Sequence, residues 1–205
     1  MDKKLNNRQL QALETKEKIY EATKLLVDTV GIDGVSIRGI AKEANISIGT
    51  FYLYYSSKDE VIYSMLLYIK EKFLAETRPT LSGNTYGEKI YDLIIRDMEF
   101  ISSYTKSFKN TLIRVLRNRT SDYLFTDYLF SDANRTYQLL HELVKAAKEA
   151  GEFTEEISTD DICLIIQTMQ WGLVDLDNMD TSFDMVGHAK RIGHAMLSAL
   201  KKKQC

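Results

Sequence analysis

The stretch NISIGTFYLYY, residues 45–55, combines a polar start, one glycine and four aromatic residues in its last five positions. Asn45 tolerates the left-handed backbone conformation that a tight turn between helices needs, and the hydroxyl of Ser47 can cap a following helix. At 100° per residue, Phe51 and Tyr55 share one side of that helix. Because so short a helix needs tertiary packing to hold its shape, we expect these two rings to anchor it to a core.

The opposite side of the same helix has little bulk. Gly49, Thr50 and Leu53 face away from the anchoring rings, and a glycine in a helix is explained when another molecule must approach its backbone closely. Small and methyl-bearing side chains suit the base edges in a major groove of DNA. Two phenol hydroxyls and one ammonium group flank this face and can donate to phosphate oxygens. These groups belong to Tyr52, Tyr54 and Lys58.

Apolar residues at steps of three and four extend the helical pattern on both sides of this stretch. The pattern predicts a first helix from about Leu10 to Val30, which GIDG at 31–34 ends. Ser36 is placed to cap a short second helix, so that the second and third helices flank the turn at Asn45. Ser57 and Glu60 have capping-box spacing, which predicts the start of a long fourth helix.

The remainder of the chain shows the same periodicity and no sustained alternation typical of strands. A single proline in 205 residues also favours long helices. We therefore predict an all-α protein of nine helices. The last five are expected from about 88 to Tyr104, at 108–118, at 121–149 ended by Gly151, at 159–178 and at 183–202.

The charge distribution points to the N-terminal quarter as the part that meets a polyanion. Through Lys58 the chain has nine basic and seven acidic residues, a balance of +2, which leaves eighteen basic and twenty-two acidic residues, −4, for the rest. The start lacks the apolar segment of a secretory signal and no apolar run is long enough to span a membrane, so we expect a cytoplasmic protein. Cys163 and Cys205 are expected to be free thiols.

The segment GVSIRGIAKEANISIGTFYLYYSSKDEVI, residues 34–62, resembles the helix-turn-helix signature of TetR (tetracycline-repressor-like) transcriptional regulators. The resemblance lies in the order of Gly, Phe-Tyr, Tyr-Tyr and Lys-Asp-Glu, and it covers about the first 65 residues. Without this signature, packing alone is the commoner role of a short tyrosine-bearing helix. The resemblance implies a DNA-binding domain at 1–56 and a ligand-binding and dimerisation domain at 57–205.

The same resemblance implies which residues lie at DNA, with Phe51 in the core. On the second and third helices and at the start of the fourth they are Ser36, Arg38, Ser47, Ile48, Gly49, Thr50, Tyr52, Leu53, Tyr54 and Lys58.

Two apolar seams occupy the eighth and ninth predicted helices. Each seam can face the chain's own core, or it can pair with its copy in a four-helix dimer interface. Because the resemblance adds to the periodicity, we favour the homodimer, in which two third helices would enter major grooves about one helical turn, roughly 34–36 Å, apart. The seam residues are Ile162, Ile166, Met169, Leu173, Val186, Ala189, Gly193, Met196 and Leu200.

The middle helices are rich in aromatic residues, which suits an apolar cavity with hydroxyls at its rim, although packing explains any single one of these residues equally well. By the family resemblance the cavity would hold a small, largely apolar inducer. The candidate lining residues are Met98, Ile101, Tyr104, Tyr137, His141 and Trp171.

No sequence motif supports catalysis, a metal site or a cofactor: the three histidines lack metal-ligand spacing, and GxSxG, P-loop and GxGxxG patterns are missing. We therefore predict that the protein is no enzyme. The sequence favours a ligand-responsive transcriptional regulator, a repressor, that binds double-stranded operator DNA, a small-molecule effector and its own copy. The alternatives are a helical protein-interaction module and a small-molecule-binding protein without a DNA role.

Overall fold

The computed structural model describes residues 6–106, 108–110, 134–180 and 182–202. Over these ranges the secondary structure is α-helical, with one 3-10 turn and one isolated β-bridge, which confirms the predicted all-α fold. The residues divide into two compact units, one at 6–69 and one from Lys70 onward. No helix in the described ranges is long and apolar enough to cross a bilayer.

The N-terminal unit contains helices α1 (Asn7–Gly34), α2 (Ile37–Glu43) and α3 (Ile48–Tyr52) and the first part of α4 (Lys58–Thr77). Helix α1 is broken at Gly31, whose φ of 72° lies in the left-handed region that glycine adopts readily. The predicted helix-breaking segment is thus where the regular helix ends.

Hydroxyl caps fix the starts of the short helices in this unit. The N–H of Gly39 donates to Ser36 Oγ at 3.1 Å, and the N–H of Glu60 donates to Ser57 Oγ at 3.1 Å. The carboxylate of Glu60 accepts from the N–H of Ser56, one residue before the position of a standard capping box. The predicted starts of α2 and α4 are confirmed, and the second half of the box is shifted by one residue.

A single apolar cluster holds these helices together. Phe51 is fully buried and Tyr55 nearly so, which confirms both as the anchors of α3. Burial of a phenylalanine ring contributes about 2–3 kcal/mol, far more than a five-residue helix gains from its own hydrogen bonds. The other buried members are Ile19, Ala22, Val35, Ile40, Ala44 and Val61.

Helix α4 continues from the first unit into the second, with the boundary between Ile69 and Lys70. A 3-10 turn, Arg78–Thr80, follows α4 and contains Pro79 in its first turn, where the missing N–H of proline is tolerated. Arg96 donates to the carbonyl of Thr80 at 2.9 Å and so fixes this turn against the next helix.

The C-terminal unit packs α5 (Tyr86–Ser102) against α6 (Arg135–Glu149), α7 (Thr159–Met179) and α8 (Met185–Leu200). Helix α6 ends before Gly151, which has a φ of 73°, as predicted for the end of the seventh helix. The predicted helix at 108–118 and the start of the one predicted at 121–149 fall largely outside the described residues.

The loop between α6 and α7 forms hydrogen bonds with both the beginning of α5 and the end of α8. The carboxylate of Glu152 accepts from the N–H groups of Tyr86 and Gly87 at 3.0 and 2.9 Å, which satisfies two free donors of the helix start. Phe153 is buried and forms the β-bridge with Lys201.

The predicted dimer seams are corrected by the burial of α7 and α8. Six of the nine residues are buried within the single chain, so they pack in its own core and cannot face a partner. Gly193, for example, lies against Tyr91 and Ile94 of α5. The periodicity therefore identifies the side of each helix that faces the chain's own core, which is the alternative to a dimer interface given above. The six residues are Ile162, Ile166, Leu173, Ala189, Gly193 and Leu200, while Met169, Val186 and Met196 are half-buried.

Candidate nucleic-acid interface

The turn between α2 and α3 has the geometry that its sequence predicts. Asn45 has a φ of 53°, and among the described residues it is the one that adopts positive φ without being a glycine. Ile46, which follows, donates its N–H to the carbonyl of Ala41 at 2.9 Å. This left-handed residue ends α2 and redirects the chain into α3 within four residues, as a helix-turn-helix requires.

Ser47 and Thr50 form a closed cap at the start of α3. Ser47 Oγ accepts from the N–H of Thr50 at 2.9 Å, and the two hydroxyl oxygens are 2.8 Å apart. Thr50 is half-buried. Because its hydroxyl is engaged in the cap, its methyl group is the part left for other contacts. The cap fixes the direction of the helix and therefore of its outer face.

The outer face of α3 is open. A Cβ placed on Gly49 would have Ser47 Oγ, 3.6 Å away, as its nearest neighbour and would otherwise meet open space in the described part of the unit. Leu53 is 81% exposed, Tyr52 54% and Ile48 42%. Three large side chains are thus exposed near Gly49, where the backbone carries no side chain.

The structure brings the ten predicted DNA-contact residues together on α2, α3 and the start of α4, all within the N-terminal unit. Seven are exposed. Thr50, Tyr54 and Lys58 are half-buried, and Tyr54 also packs against the apolar cluster. Tyr54 therefore has a structural role that the sequence reasoning did not assign. The exposed residues are Ser36, Arg38, Ser47, Ile48, Gly49, Tyr52 and Leu53.

The six predicted ligand-contact residues all lie in the C-terminal unit. Tyr104 stacks on Phe108 with ring centroids 4.3 Å apart, while Tyr137 and His141 both approach the carboxylate of Asp160, at 3.0 and 3.3 Å. Met98 is fully buried, and Ile101 and Trp171 are half-buried. Their common cavity stays a prediction.

A groove of about 760 Å³ lies elsewhere in this unit and includes none of those six residues. The start of α5, the α6–α7 loop and the end of α8 line it. Its aromatic wall comprises Tyr91, Phe153 and His194.

A polar network inside the C-terminal unit escaped the sequence analysis. Asp97, 5% exposed, pairs with Lys70 of α4 and accepts from Gln170 Nε2 of α7 at 3.1 Å. Lys109 and Asp177 form a second ion pair, also largely buried. A carboxylate in the apolar stripe of α5, one position before Met98, was the signal that could have revealed it. The network links three helices through one side chain.

Two groups near the start of α7 have altered acidities. Burial, and then the hydrogen bond to Asp160, raise the pKa of Tyr137 above its usual range. Burial, with the nearby charge of Asp160, raises the pKa of the Cys163 thiol to about 12. Neither group is poised to ionise near neutral pH, so Tyr137 acts as a hydrogen-bond donor to Asp160 and Cys163 as a packing group.

The outer side of α7 and α8 exposes a row of apolar and small side chains. Met179 is 79% exposed, and the neighbours one and two turns before it on α7 are also in solvent. Exposed apolar side chains grouped in this way are typical of an interaction surface. We name this row the outer stripe; it comprises Leu164, Ile165, Thr168, Gly172, Leu176 and Met179 on α7 and Ile192, Ala195 and Ala199 on α8.

A capped helix-turn-helix with an open third helix, joined to an α-helical unit, is the architecture of a bacterial transcriptional regulator. Residues 19–65 match the model of the tetR family of bacterial regulatory proteins. This match covers the helix-turn-helix part of the N-terminal unit.

Individual relatives extend this similarity. A helix-turn-helix transcriptional regulator of Haemophilus influenzae is 39% identical over 70 residues, 31% of this chain and 37% of the relative. The transcriptional regulator UidR of Escherichia coli K12 is 20% identical over 177 residues, 86% of this chain and 88% of UidR. The chain thus spans about a third of the length of the Haemophilus relative and most of the length of UidR.

The fold is similar to that of Thermus thermophilus FadR, a TetR-family repressor whose structure contains lauroyl-CoA. The TM-score is 0.70 at 20% identity, over 92% of this chain and 97% of FadR. These relatives and neighbours are transcriptional regulators and not enzymes.

Proposed function

We propose that this protein is a ligand-responsive repressor that binds a near-palindromic operator as a homodimer and is released by a small, largely apolar inducer. The observation that carries the proposal is the open outer face of α3, with Gly49 bare and Leu53 81% exposed, on a helix whose other side is anchored by a buried Phe51. A five-residue helix so exposed suits insertion into a major groove, which admits an α-helix.

The roles of the surrounding side chains follow from their chemistry. The hydroxyl of Tyr52 and the ammonium group of Lys58 donate to phosphate oxygens and set the position of α3 on the duplex. Arg38, exposed on α2, adds a second cation beside the turn. Ser36 and Ser47 hold the two helices by their caps and lie at the same surface.

The outer stripe is the surface that we assign to the dimer. Its small residues, Gly172, Ala195 and Ala199, permit close approach of helices, and its larger ones supply apolar area. A two-fold axis through such a stripe makes the same patch meet its copy. The dimer then presents two α3 helices to one near-palindromic site, with a spacing that controls affinity.

The ligand site is assigned to the C-terminal unit. Its aromatic side chains and the polar network at Asp97 together suit a ligand with an apolar body and one or two polar groups. The FadR of similar fold contains lauroyl-CoA, whose acyl chain is apolar and whose CoA part is large and charged. Since α4 belongs to both units, a ligand that displaces α4 in one unit alters the placement of the DNA-binding helices. Coupling of this kind is typically worth about 1–3 kcal/mol, or roughly 5- to 150-fold in affinity.

Gel shifts with duplex DNA from upstream of the protein's own gene test the DNA-binding surface. Tyr52→Ala and Lys58→Ala should each weaken binding, because each removes a phosphate contact. For Lys58→Ala the salt dependence of the binding constant should fall by about one unit of slope.

Tyr68→Ala is the matched control, since Tyr68 on α4 has the same 54% exposure as Tyr52 and lies outside the assigned surface. Equal binding by wild type, Tyr52→Ala and Lys58→Ala would remove the assigned surface.

A further inference from the structure

The outer face of α3 lacks the side chains that make paired hydrogen bonds to bases. Helix α3 and its C-cap, Leu53, contain no Arg, Lys, Asn or Gln, the residue types that recognise guanine and adenine in this way. The hydroxyls of Ser47 and Thr50 are engaged with each other in the cap. The remaining side-chain hydroxyl of this helix, that of Tyr52, is the group assigned above to a phosphate oxygen.

Two aliphatic side chains of this segment are exposed, one at the start of α3 and one at its C-cap. Leu53 and Ile48 stand in solvent, and neither belongs to the buried cluster that holds the unit together. Exposed aliphatic surface becomes favourable when an apolar group covers it. Along a major groove, the C5 methyl of thymine is the apolar group that base edges offer, and it distinguishes T·A from the other pairs.

Gly49 makes such contacts feasible. Aliphatic groups gain from one another only when their heavy atoms are within about 4.5 Å, a shorter range than that of charged groups. The open space beside Gly49, next to Ile48 on the helix, lets the backbone of α3 come close enough to the floor of the groove.

We propose that Leu53 and Ile48 determine operator specificity by contacting thymine methyl groups, so that each half-site has T·A pairs at the positions beneath α3. This inference rests on the proposed function, because it requires α3 to enter the major groove. It adds the chemistry of the operator, which the proposed function leaves open.

The experiment begins with the full-length protein and a random duplex library, from which bound sequences are selected. Each thymine of the selected site is then replaced singly by uracil, which differs from it only by the missing methyl. At contacted positions the affinity should fall about 3- to 5-fold per half-site, the value of one buried methyl group, and about 10- to 20-fold when both half-sites are changed.

Cytosine at a contacted position gives the complementary test. Replacing T·A by C·G should weaken binding, and 5-methylcytosine at the same position should recover about 3- to 5-fold because it restores the methyl group.

Matched variants assign the effect to the side chains. Leu53→Ala or Ile48→Ala should each abolish the difference between thymine and uracil at its own position, and the exposure of both residues preserves the fold. Leu25→Ala, which truncates an exposed leucine of α1, should keep the full difference.

Two outcomes separate the inference from the proposed function. If a specific site is selected but no uracil substitution changes affinity, or both Leu53→Ala and Ile48→Ala keep the discrimination, the methyl contacts are refuted and DNA binding stands. If no sequence is selected, the proposed function itself is refuted.

Discussion

Helices α3 and α7 both turn aliphatic side chains to solvent, but in different settings. Helix α3 has five residues and one buried side chain, and four residues, including Gly49 and Tyr52, separate its exposed Ile48 from the exposed C-cap Leu53. Helix α7 has twenty-one residues, buries seven of them and exposes the outer stripe along its length. A small, interrupted apolar surface beside hydroxyl groups suits a groove with polar edges, whereas a long stripe suits another helix. The polar surroundings of an exposed aliphatic residue thus indicate its partner.

The buried side of α3 can be tested by removing its anchor. Phe51→Ala should destabilise the protein by about 3–5 kcal/mol, because the ring is fully buried and leaves a cavity. Urea denaturation followed by circular dichroism measures this. The exposed Tyr52→Ala should change stability by less than about 0.5 kcal/mol. Similar unfolding midpoints for the two variants would contradict the division of α3 into two faces.

Loss of the polar network at Asp97 should destabilise the C-terminal unit, as loss of the Phe51 ring destabilises the N-terminal unit. Asp97→Leu leaves Lys70 and Gln170 without their shared partner and should cost about 2–4 kcal/mol, less than for a fully buried pair because Lys70 keeps some contact with water. Denaturation curves provide the measurement. Adding Lys70→Met should recover part of the loss. If the double variant is less stable than wild type by the sum of the losses measured for Asp97→Leu and Lys70→Met alone, the residues are not coupled.

The outer stripe can be broken with a charge. Ile165→Glu or Leu176→Glu should weaken dimerisation by at least about 2 kcal/mol, roughly 30-fold, because a carboxylate would be buried at the interface. Sedimentation equilibrium should then give a mass close to the 23.6 kDa of one chain. Lys145→Glu, on the exposed side of α6, is the control and should leave the mass unchanged. Unaltered dimers from both stripe variants would place the interface elsewhere.

The thiol of Cys163 distinguishes the two sides of α7. It is fully buried on the inner side, and its pKa is raised to about 12, so iodoacetamide should not label it in the native protein. Protection should persist in the monomeric Ile165→Glu variant, because the chain's own core covers the thiol. Mass spectrometry of labelled peptides shows the result. Labelling on dissociation would favour the original interface at Ile162 and Ile166.

A smaller effect is expected from Asp92 of α5. Burial raises the pKa of Asp92, but the N–H of Ser82, at 2.9 Å, and the guanidinium of Arg96 lower it more, so that it lies below its usual range. A carboxyl group with a lowered pKa stabilises the fold above the pKa of the unfolded chain and loses that contribution as pH falls through the folded value. Asp92→Asn should be less stable than wild type at neutral pH and equal to it in strong acid. Denaturation curves that give the same stability difference between Asp92→Asn and wild type at both pH values would contradict this.

The sequence predicts the N-terminal unit closely because its residues act locally. Asn45 sets a turn, Ser36 and Ser47 each cap the helix that follows them, and Phe51 fits the single buried position of α3. Each role depends on neighbours within a few positions, so spacing is enough to infer it.

The C-terminal unit was predicted less well because its contacts join distant residues. The period of α7 identifies an apolar side, but it does not say whether that side meets the same chain or a copy, which is why Ile162 and Ile166 were assigned to the interface. Asp97 and Gln170, which share a hydrogen bond, are 73 positions apart in the sequence, and no local pattern predicts their contact. The groove at Tyr91 and His194 likewise arises from the meeting of two helix ends and a loop.

Cleavage of DNA from a reagent tethered to α3 tests the central claim most directly. Leu53→Cys, in a Cys205→Ser background, can carry an iron chelate that cuts DNA close to the attachment point. Bound operator should be cut at two places about one helical turn, roughly 34–36 Å, apart. The same chelate on Lys145→Cys of α6 should cut nothing. Bound DNA that stays intact with the chelate on residue 53, or equal cutting from both positions, would contradict the placement of α3 in the major groove.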